Sequence, residues 1–174
     1  MSIAAAREAV KKGQQALKAE YLEHGDAQRL LSTRCRQVDN ILTQLWDLHD
    51  FPRGLALIAV GGYGRGELYP YSDIDLLVLL PTVPDKALED NLEKLISSFW
   101  DIGLEIGHSV RTIDDCLCEA ESDITVQTAL AETRLLTGNL KLFLEFQRRL
   151  KDQLDPLAFY NAKCFEQQER HLRY

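Results

Sequence analysis

The chain has 174 residues, a formal net charge of −7 and an apolar content of 45%, enough for one domain with a buried core or one domain with a helical extension. The acidic balance argues against wrapping a nucleic-acid backbone, which needs concentrated Lys and Arg. No apolar run approaches the roughly 20 residues that span a membrane, so we expect neither a nucleic-acid nor a membrane partner.

Residues 1–50 are predicted to form an N-terminal helical region. An Ala-rich stretch over 2–23 favours a first helix. His24-Gly25-Asp26 breaks the pattern, and Asp26 is a suitable N-cap for a second helix from 27 to about 49.

Residues 51–120 carry the strand signals. Two short apolar runs, 55–60 and 74–80, predict buried strands. A helical pattern covers 84–100, and 104–110 predicts a third strand. Thr112, followed by Asp115 three residues later, is typical of a capped helix start.

Residues 121–174 are predicted to form a helical extension, with helices over 123–136, 139–152 and 156–172. Pro156 suits the first position of the last helix. The helical pattern continues at Tyr174, so we expect the chain to be part of a longer protein. The predicted fold class is α/β (α+β), a small sheet flanked by helices before and after it.

The four cysteines are scattered along the chain. Cys116 and Cys118 are only two residues apart, and no suitably spaced histidine pair accompanies them, which disfavours a zinc site. We interpret the cysteines as reduced thiols of a cytoplasmic protein.

A glycine-rich turn follows the first predicted strand. Gly61, Gly62, Gly64 and Gly66 allow the backbone to approach a ligand closely, and Arg65 adds a charge for a phosphate. The spacing is neither a Walker A loop nor a complete dinucleotide fingerprint. A tight strand-to-helix turn without a ligand is the alternative interpretation.

Two aspartates open the second predicted strand. Asp73 and Asp75 are two residues apart, so they share one face of the strand at a spacing of about 6–7 Å. Paired carboxylates beside a buried strand favour a divalent cation, and Mg²⁺ prefers such oxygen ligands. The alternative is that Asp73 caps the strand while Asp75 lies at a solvated edge.

Residues 60–77 read Val-Gly-Gly-Tyr-Gly-Arg-Gly-Glu-Leu-Tyr-Pro-Tyr-Ser-Asp-Ile-Asp-Leu-Leu. This segment resembles the signature of DNA polymerase β-type nucleotidyltransferases. Its sequence is most similar to that of the bacterial PII uridylyltransferase/uridylyl-removing enzymes, which regulate nitrogen metabolism. Residues 100–112 and 166–171 agree with that branch, and the resemblance covers about 51–174.

The resemblance implies a mixed nucleotidyltransferase-type sheet with its catalytic core in 51–120. It implies transfer of UMP from UTP to a tyrosine of the PII signalling protein, with release of pyrophosphate by a two-metal mechanism. Asp73 and Asp75 would ligate Mg²⁺. The nucleotide-binding residues it implies are Gly61, Gly62, Gly64, Arg65 and Ser72.

A third carboxylate commonly assists in this superfamily, and Glu105 is the candidate. Strand alternation puts Glu105 on the same face as Gly107 and Ser109. Asp114 and Asp115 are interpreted as acids of a helix start. His108 is either a phosphate contact or a packed structural residue.

Two alternative functions stay open. The chain could be a truncated nucleotide-binding fragment without activity, or a related adenylyl- or nucleotidyltransferase that acts on another substrate. Full-length members of the resembled family also carry a hydrolase domain and small-molecule-sensing domains. Nothing in this chain is similar to those domains, so we expect it to lack the uridylyl-removing activity.

Overall fold

The structure is a computed structural model that describes residues 2–172. Within that range eight helices surround a four-stranded sheet. The elements in chain order are α1 Ile3–His24, α2 Ala27–Trp46, β1 Ala56–Val60, α3 Gly61–Gly64, β2 Ile74–Leu80, α4 Lys86–Asp101, β3 Ile106–Thr112, α5 Ile113–Ser122, α6 Ile124–Ala131, β4 Thr133–Gly138, α7 Leu140–Gln153 and α8 Pro156–Leu172.

The sheet has the strand order β3-β2-β1-β4. β1 pairs antiparallel with both β2 and β4, whereas β3 runs parallel to β2. This arrangement confirms the predicted α/β fold class with a small mixed sheet between N-terminal helices and a C-terminal helical extension.

Both faces of the sheet are covered by helices, which explains why β1 and β2 read as continuous apolar runs. Leu76 and Val78 of β2 belong to a core shared with α1, α2 and α4. Leu77 and Leu79 point to the other face, into a core shared with α5, α6 and α7. Residue parity along β2 therefore decides which layer a side chain enters.

Helix starts follow the predicted caps. The Asp26 carboxylate accepts a hydrogen bond from the Arg29 backbone N–H, at 3.0 Å. Thr112 and Asp115 form a reciprocal capping box at the start of α5. The last helix begins at Pro156, as expected. Local capping chemistry thus sets these boundaries.

One predicted element is wrong. The helix expected over 123–136 ends at Ala131, and the residues that follow form the edge strand β4. β4 pairs with all of β1, from Ala56↔Gly138 to Val60↔Thr133. A short run such as Thr-Arg-Leu-Leu-Thr is compatible with a helix or a strand, and hydrogen bonding to β1 stabilises the strand.

The start of the third strand differs slightly from the prediction. The third strand begins at Ile106 rather than at 104, which leaves Glu105 just before β3. Within residues 2–172, no helix combines the length and the apolar character needed to cross a membrane. The helical pattern noted at Tyr174 lies outside the described residues, and the division into three regions stays a prediction.

Candidate functional site

The glycine turn lies where β1 ends. Val60 is the last residue of β1, and α3 makes a single turn immediately afterwards. Gly61 has φ +60, a conformation that L side chains rarely adopt. A Cβ atom at position 61 would also lie 3.9 Å from Asp75 Oδ2, so the turn passes directly beside the acid.

Gly64 has a different role from Gly61. A Cβ atom at position 64 would overlap the backbone carbonyl of Glu132 and come within 3.0 Å of the Ala59 carbonyl oxygen. Gly64 is also buried. Close packing against the end of α6 therefore accounts for this glycine without a ligand.

Asp75 is placed by the parallel pairing of β2 and β3, in which it lies opposite Gly107. A Cβ atom at position 107 would come within 2.5 Å of Asp75 Oδ1, so the absence of a side chain there makes room for the carboxylate. The outer side of Asp75 is open to solvent. Partial burial, and then the negative charge of Asp73, raise the pKa of the Asp75 carboxyl.

Asp73 and Glu105 precede the two paired strands. Both side chains are exposed. The Ile74 backbone N–H donates to the Glu105 carbonyl oxygen at 2.9 Å, which continues the β2–β3 ladder as far as these two acids. Among residues 2–172, however, no group of three His, Cys, Asp or Glu side chains is arranged to hold a metal ion.

Two predicted phosphate ligands already have partners. The Arg65 guanidinium forms ion pairs with Glu132 and, at 3.6 Å, with Glu67. The Ser72 hydroxyl donates to the Tyr69 carbonyl oxygen at 2.9 Å. Gly62 is half-buried beside Arg65. Both polar side chains are therefore engaged by groups of the protein in this arrangement.

The other polar residues considered from the sequence have structural contacts. Asp114 pairs with Arg149 through a carboxylate–guanidinium contact of 2.6 Å. His108 meets Trp100 edge-on, with ring centroids 6.0 Å apart. Thr112 supplies the hydrogen bonds that lower the pKa of Asp115.

A polar cluster that the sequence did not reveal holds the glycine turn in place. The Tyr63 hydroxyl donates to Asp39 Oδ1 at 2.6 Å, and Arg134 donates to both Asp39 oxygens, at 2.8 and 3.1 Å. Arg134 also donates to the Tyr63 carbonyl oxygen at 3.3 Å and to Cys35 Sγ at 3.2 Å. We call Cys35, Asp39, Tyr63 and Arg134 the turn-anchoring cluster.

This cluster joins α2, α3 and β4. Burial, and then the charge of Asp39, raise the pKa of Tyr63, so its phenol stays protonated and can donate. Burial likewise raises the pKa of the Cys35 thiol. The only signal in the sequence is an aspartate beside Val38 on the apolar side of α2; its partner 95 positions away cannot be found from one sequence.

Two cavities approach the acids. The first, which we call the sheet-side cavity, has a volume of about 350 Å³ and lies against α6. Its lining includes Val60, Asp75, Gly107, Ser109, Arg111 and Thr125. Asp75 and Val60, the last residue of β1 before the glycine turn, therefore line the same cavity.

The second, which we call the hairpin cavity, has a volume of about 500 Å³ and lies between α1, α2 and the segments before β2 and β3. Ser72 and Glu105 are among its lining residues, and it shares no lining residue with the sheet-side cavity. The structure therefore places Asp75 at one cavity and Glu105 at the other.

A glycine turn beside an acid at the start of a neighbouring strand, on a small mixed sheet, is the arrangement expected of a nucleotidyl-transferring domain. The family model described as a nucleotidyltransferase domain matches residues 35–130. That match covers more than half of the chain, which therefore belongs to the nucleotidyltransferase domain family.

Curated relatives are similar over nearly the whole chain. The bifunctional uridylyltransferase/uridylyl-removing enzyme of Cupriavidus pinatubonensis (strain JMP 134 / LMG 1197) is 48% identical over 97% of this chain and 19% of that protein. The protein of the same name from Bordetella avium (strain 197N) is 51% identical over 90% of this chain and 18% of that protein. The chain thus spans about a fifth of the length of these relatives.

Solved structures show a more distant similarity. One chain, from a structure described as a toxin-antitoxin with AMP-PNP, is 17% identical and gives a TM-score of 0.40. The match covers 75% of this chain and 93% of that one.

Proposed function

We propose that this domain transfers UMP from UTP to a tyrosine hydroxyl of the PII signalling protein and releases pyrophosphate. The observation that carries the proposal is the position of Asp75, which lies beside Gly61 of the glycine turn and over Gly107. Partial burial, and then the negative charge of Asp73, raise the pKa of the Asp75 carboxyl, and perturbed carboxyl groups of this kind cluster at functional sites.

Mg²⁺ fits this pair of acids. Asp73 and Asp75 supply the hard oxygen ligands that the ion prefers, and a divalent charge relieves the repulsion that raises the pKa of Asp75. Bound there, metal ions would neutralise the triphosphate and the developing charge on the transferred phosphoryl group. We propose Glu105 as the third carboxylate, because its backbone continues the β2–β3 ladder beside Ile74, between the two aspartates. Since Glu105 lines the hairpin cavity and Asp75 the sheet-side cavity, this role requires the Glu105 side chain to turn towards Asp75 when metal binds.

The chain's own residues then have distinct tasks. Gly61 and Gly62 let the triphosphate approach the backbone next to Asp75. Gly64 supports the turn through its packing against Glu132. Arg65 and Ser72 contact phosphate oxygens after they leave Glu132 and the Tyr69 carbonyl.

Support for UTP as donor comes from the names of the relatives, which are uridylyltransferases. Support for PII as acceptor comes from the resemblance of residues 60–77 and 100–112. With these substrates the protein acts in the cytoplasm.

Asp73→Asn and Asp75→Asn test the assignment. Labelled UMP transfer to purified PII should fall by about 10²-fold or more in each variant, because the charge that holds the metal and its triphosphate is lost. Asp114→Asn is the matched control, since its carboxylate pairs with Arg149 on the surface. Full transfer in either site variant overturns the roles assigned to these acids.

A second candidate function is nucleotide binding without transfer. It is favoured by the partners that already engage Arg65 and Ser72 and by the absence, within residues 2–172, of a group of three potential metal ligands. Calorimetry of UTP with Mg²⁺ followed by the transfer assay separates the two functions. Binding without labelled PII supports this second function, and tighter binding of ATP than of UTP points to another nucleotide donor.

A further inference from the structure

The sheet-side cavity lies between the sheet and α6 and has room for a small ligand. Its volume of about 350 Å³ falls in the range of roughly 300–1,000 Å³ that is usual for small-ligand sites. Its lining includes Val60 and Asp75, beside the glycine turn, and Arg111 near the end of β3. It therefore joins the proposed metal site to an arginine that the proposed function does not use.

β3 turns a row of residues towards this cavity. Side chains alternate along a strand, so Ser109 and Arg111 lie on the same face as Gly107. The parallel register sets Gly107 opposite Asp75. It sets Arg111 opposite Leu79, four residues further along both strands, which is about 13 Å at roughly 3.3 Å per residue. A ligand that is bound at Asp75 and fills the cavity therefore extends along β3.

α6 supplies an apolar strip on the helix side of the cavity. Val126, Ala129 and Leu130 lie on one helix face, because they are three and four positions apart, and all three line the cavity. We call these three residues the apolar strip. An apolar wall beside polar groups fits a flat ring with hydrogen-bonding atoms on its edge, which is how proteins commonly hold a nucleobase.

Arg111 is held at the cavity wall by an ion pair. Its Nη2 atom lies 2.5 Å from Glu119 Oε2, and its side chain is only 23% exposed. A contact through one nitrogen uses only part of the N–H donors of a guanidinium, which has no acceptor. Such donors favour a carbonyl oxygen, like O4 of uracil, over the amino group that cytosine or adenine presents at the corresponding position.

The glycine turn and the metal site decide which part of a nucleotide enters the cavity. In the proposed function the triphosphate lies against Gly61 and Gly62, and the phosphorus that is attacked lies at Asp75. The ribose is attached to the α-phosphate on the side away from the β- and γ-phosphates. The nucleoside therefore extends from Asp75 away from the turn, which is the direction in which β3 leads to Arg111.

We propose that the sheet-side cavity binds the nucleoside of the donor nucleotide and that Arg111 selects uracil by donating to its carbonyl edge. The base lies on the apolar strip, and Glu119 holds the guanidinium in position. This inference rests on the proposed function and deepens it, because it names the residue that chooses the base.

The test measures the affinity of the 174-residue chain for UTP, CTP, GTP, ATP and inorganic tripolyphosphate, each with Mg²⁺, by calorimetry. The wild type should bind UTP at least about 10-fold more tightly than the other three nucleotides. Arg111→Leu should weaken UTP binding by about 10-fold and bring UTP and CTP within about 2-fold of each other. Its affinity for tripolyphosphate should stay unchanged, because that ligand has no base.

A second variant and a control complete the test. Arg111→Gln should also bind UTP and CTP about equally, because an amide both donates and accepts. Both variants should fold, as melting curves can check, since the Glu119 side chain that they leave is exposed to solvent. Arg148→Leu removes an arginine from an exposed ion pair with Asp152 and should keep the wild-type preference.

The other outcomes separate this inference from the proposed function. An unchanged preference for UTP in the two folded Arg111 variants overturns the inference and leaves the proposed function standing. An equal loss for all four nucleotides and tripolyphosphate makes Arg111 a phosphate ligand and also overturns it, as does a wild-type preference for GTP, whose base presents a carbonyl too. If the wild type binds none of the nucleotides, the proposed function fails and the inference fails with it.

Discussion

Asp75 lies directly opposite Gly107 in the parallel pairing of β2 and β3, and its carboxylate occupies the space that a side chain at position 107 would take. A residue with no side chain thus sets the position of the acid that anchors the proposed metal site. β3 therefore contributes to the proposed metal site through the backbone of Gly107, which leaves room for the Asp75 carboxylate.

Gly107→Ala should disable the site with little effect on the fold. The added Cβ would come within 2.5 Å of Asp75 Oδ1, so the carboxylate must turn away. We expect UMP transfer to fall by about 10²-fold, as displacement of a positioned group by about 1 Å can do. The transfer assay and the melting temperature, measured together, check this.

Gly54→Ala is the matched control for Gly107→Ala. It adds the same methyl group in the loop before β1, where the new Cβ would meet the Pro81 ring at 3.2 Å, away from Asp75. Its transfer rate should equal that of the wild type. A fully active Gly107→Ala variant would show that Asp75 tolerates a neighbouring side chain and is not positioned by the glycine.

Gly64→Ala should be severely destabilising. The new Cβ would overlap the Glu132 carbonyl, whose carbon lies 2.9 Å away, and backbone cannot move aside as a side chain can. We expect a loss of more than about 3 kcal/mol in the free energy of unfolding, at the upper end of single substitutions. Urea denaturation of the purified variant measures it.

Gly13→Ala provides the contrast. Position 13 lies inside α1, and its new Cβ would meet only the flexible end of Gln37, with Oε1 at 2.6 Å. Helix propensity favours alanine there by about 1 kcal/mol. Unfolding free energy should therefore rise or stay constant, and equal losses in the two variants would contradict the distinction between backbone and side-chain crowding.

The sequence predicted the parts of this fold that local chemistry controls. Asp26 and Thr112 cap helices where their side chains can accept a backbone hydrogen bond. Pro156 begins the last helix, because its ring fixes a helical φ. β4 could not be recognised because its residues fit a helix equally well, and only the free edge of β1 selects the strand. The pairing of two distant segments cannot be predicted from the residues of either segment alone.

The same limit applies to the site. The pattern of Gly61, Asp73 and Asp75 was visible because these residues are close in sequence. The contact between Asp75 and Gly107 depends on the register of a parallel pair, and the turn-anchoring cluster joins residues up to 99 positions apart. Packing of three separate elements creates these relationships.

Asp39→Ala should destabilise the domain and loosen the glycine turn. It removes the acceptor of the Tyr63 hydroxyl and leaves the half-buried Arg134 without its ion-pair partner. We expect a loss of about 2–3 kcal/mol in unfolding free energy, and a smaller loss of about 1–2 kcal/mol for Tyr63→Phe. Urea denaturation gives both values, and calorimetry should show weaker UTP binding in the folded variants.

A double-mutant cycle between Asp39→Ala and Tyr63→Phe tests whether the two residues act together. Residues in one hydrogen-bonded network should show a coupling of about 0.5–3 kcal/mol. Arg148→Ala is the control, because its pair with Asp152 is exposed and should contribute under about 0.5 kcal/mol. Additive losses at Asp39 and Tyr63 would count against a single turn-anchoring cluster.

Asp75→Asn should raise the melting temperature at pH 7 in the presence of EDTA. The pKa of Asp75 is higher in the folded protein than its ordinary value, because of burial and then the charge of Asp73. Above that raised pKa the ionised carboxylate destabilises the folded state in full, and this penalty is lost as the pH falls through it. The advantage of Asn should therefore shrink on acidification, as melting curves across pH can show.

Asp115→Asn is the control of opposite sign. Hydrogen bonds from Thr112 lower the pKa of Asp115, so its carboxylate stabilises the fold at neutral pH and that stability is lost as the pH falls through the lowered pKa. This variant should melt below the wild type at pH 7. Mg²⁺ should raise the melting temperature of the wild type and of Asp115→Asn but not of Asp75→Asn, since only the last lacks one of the proposed metal ligands. A lower melting temperature for Asp75→Asn in EDTA would contradict the repulsion between Asp73 and Asp75 on which the proposed metal site depends.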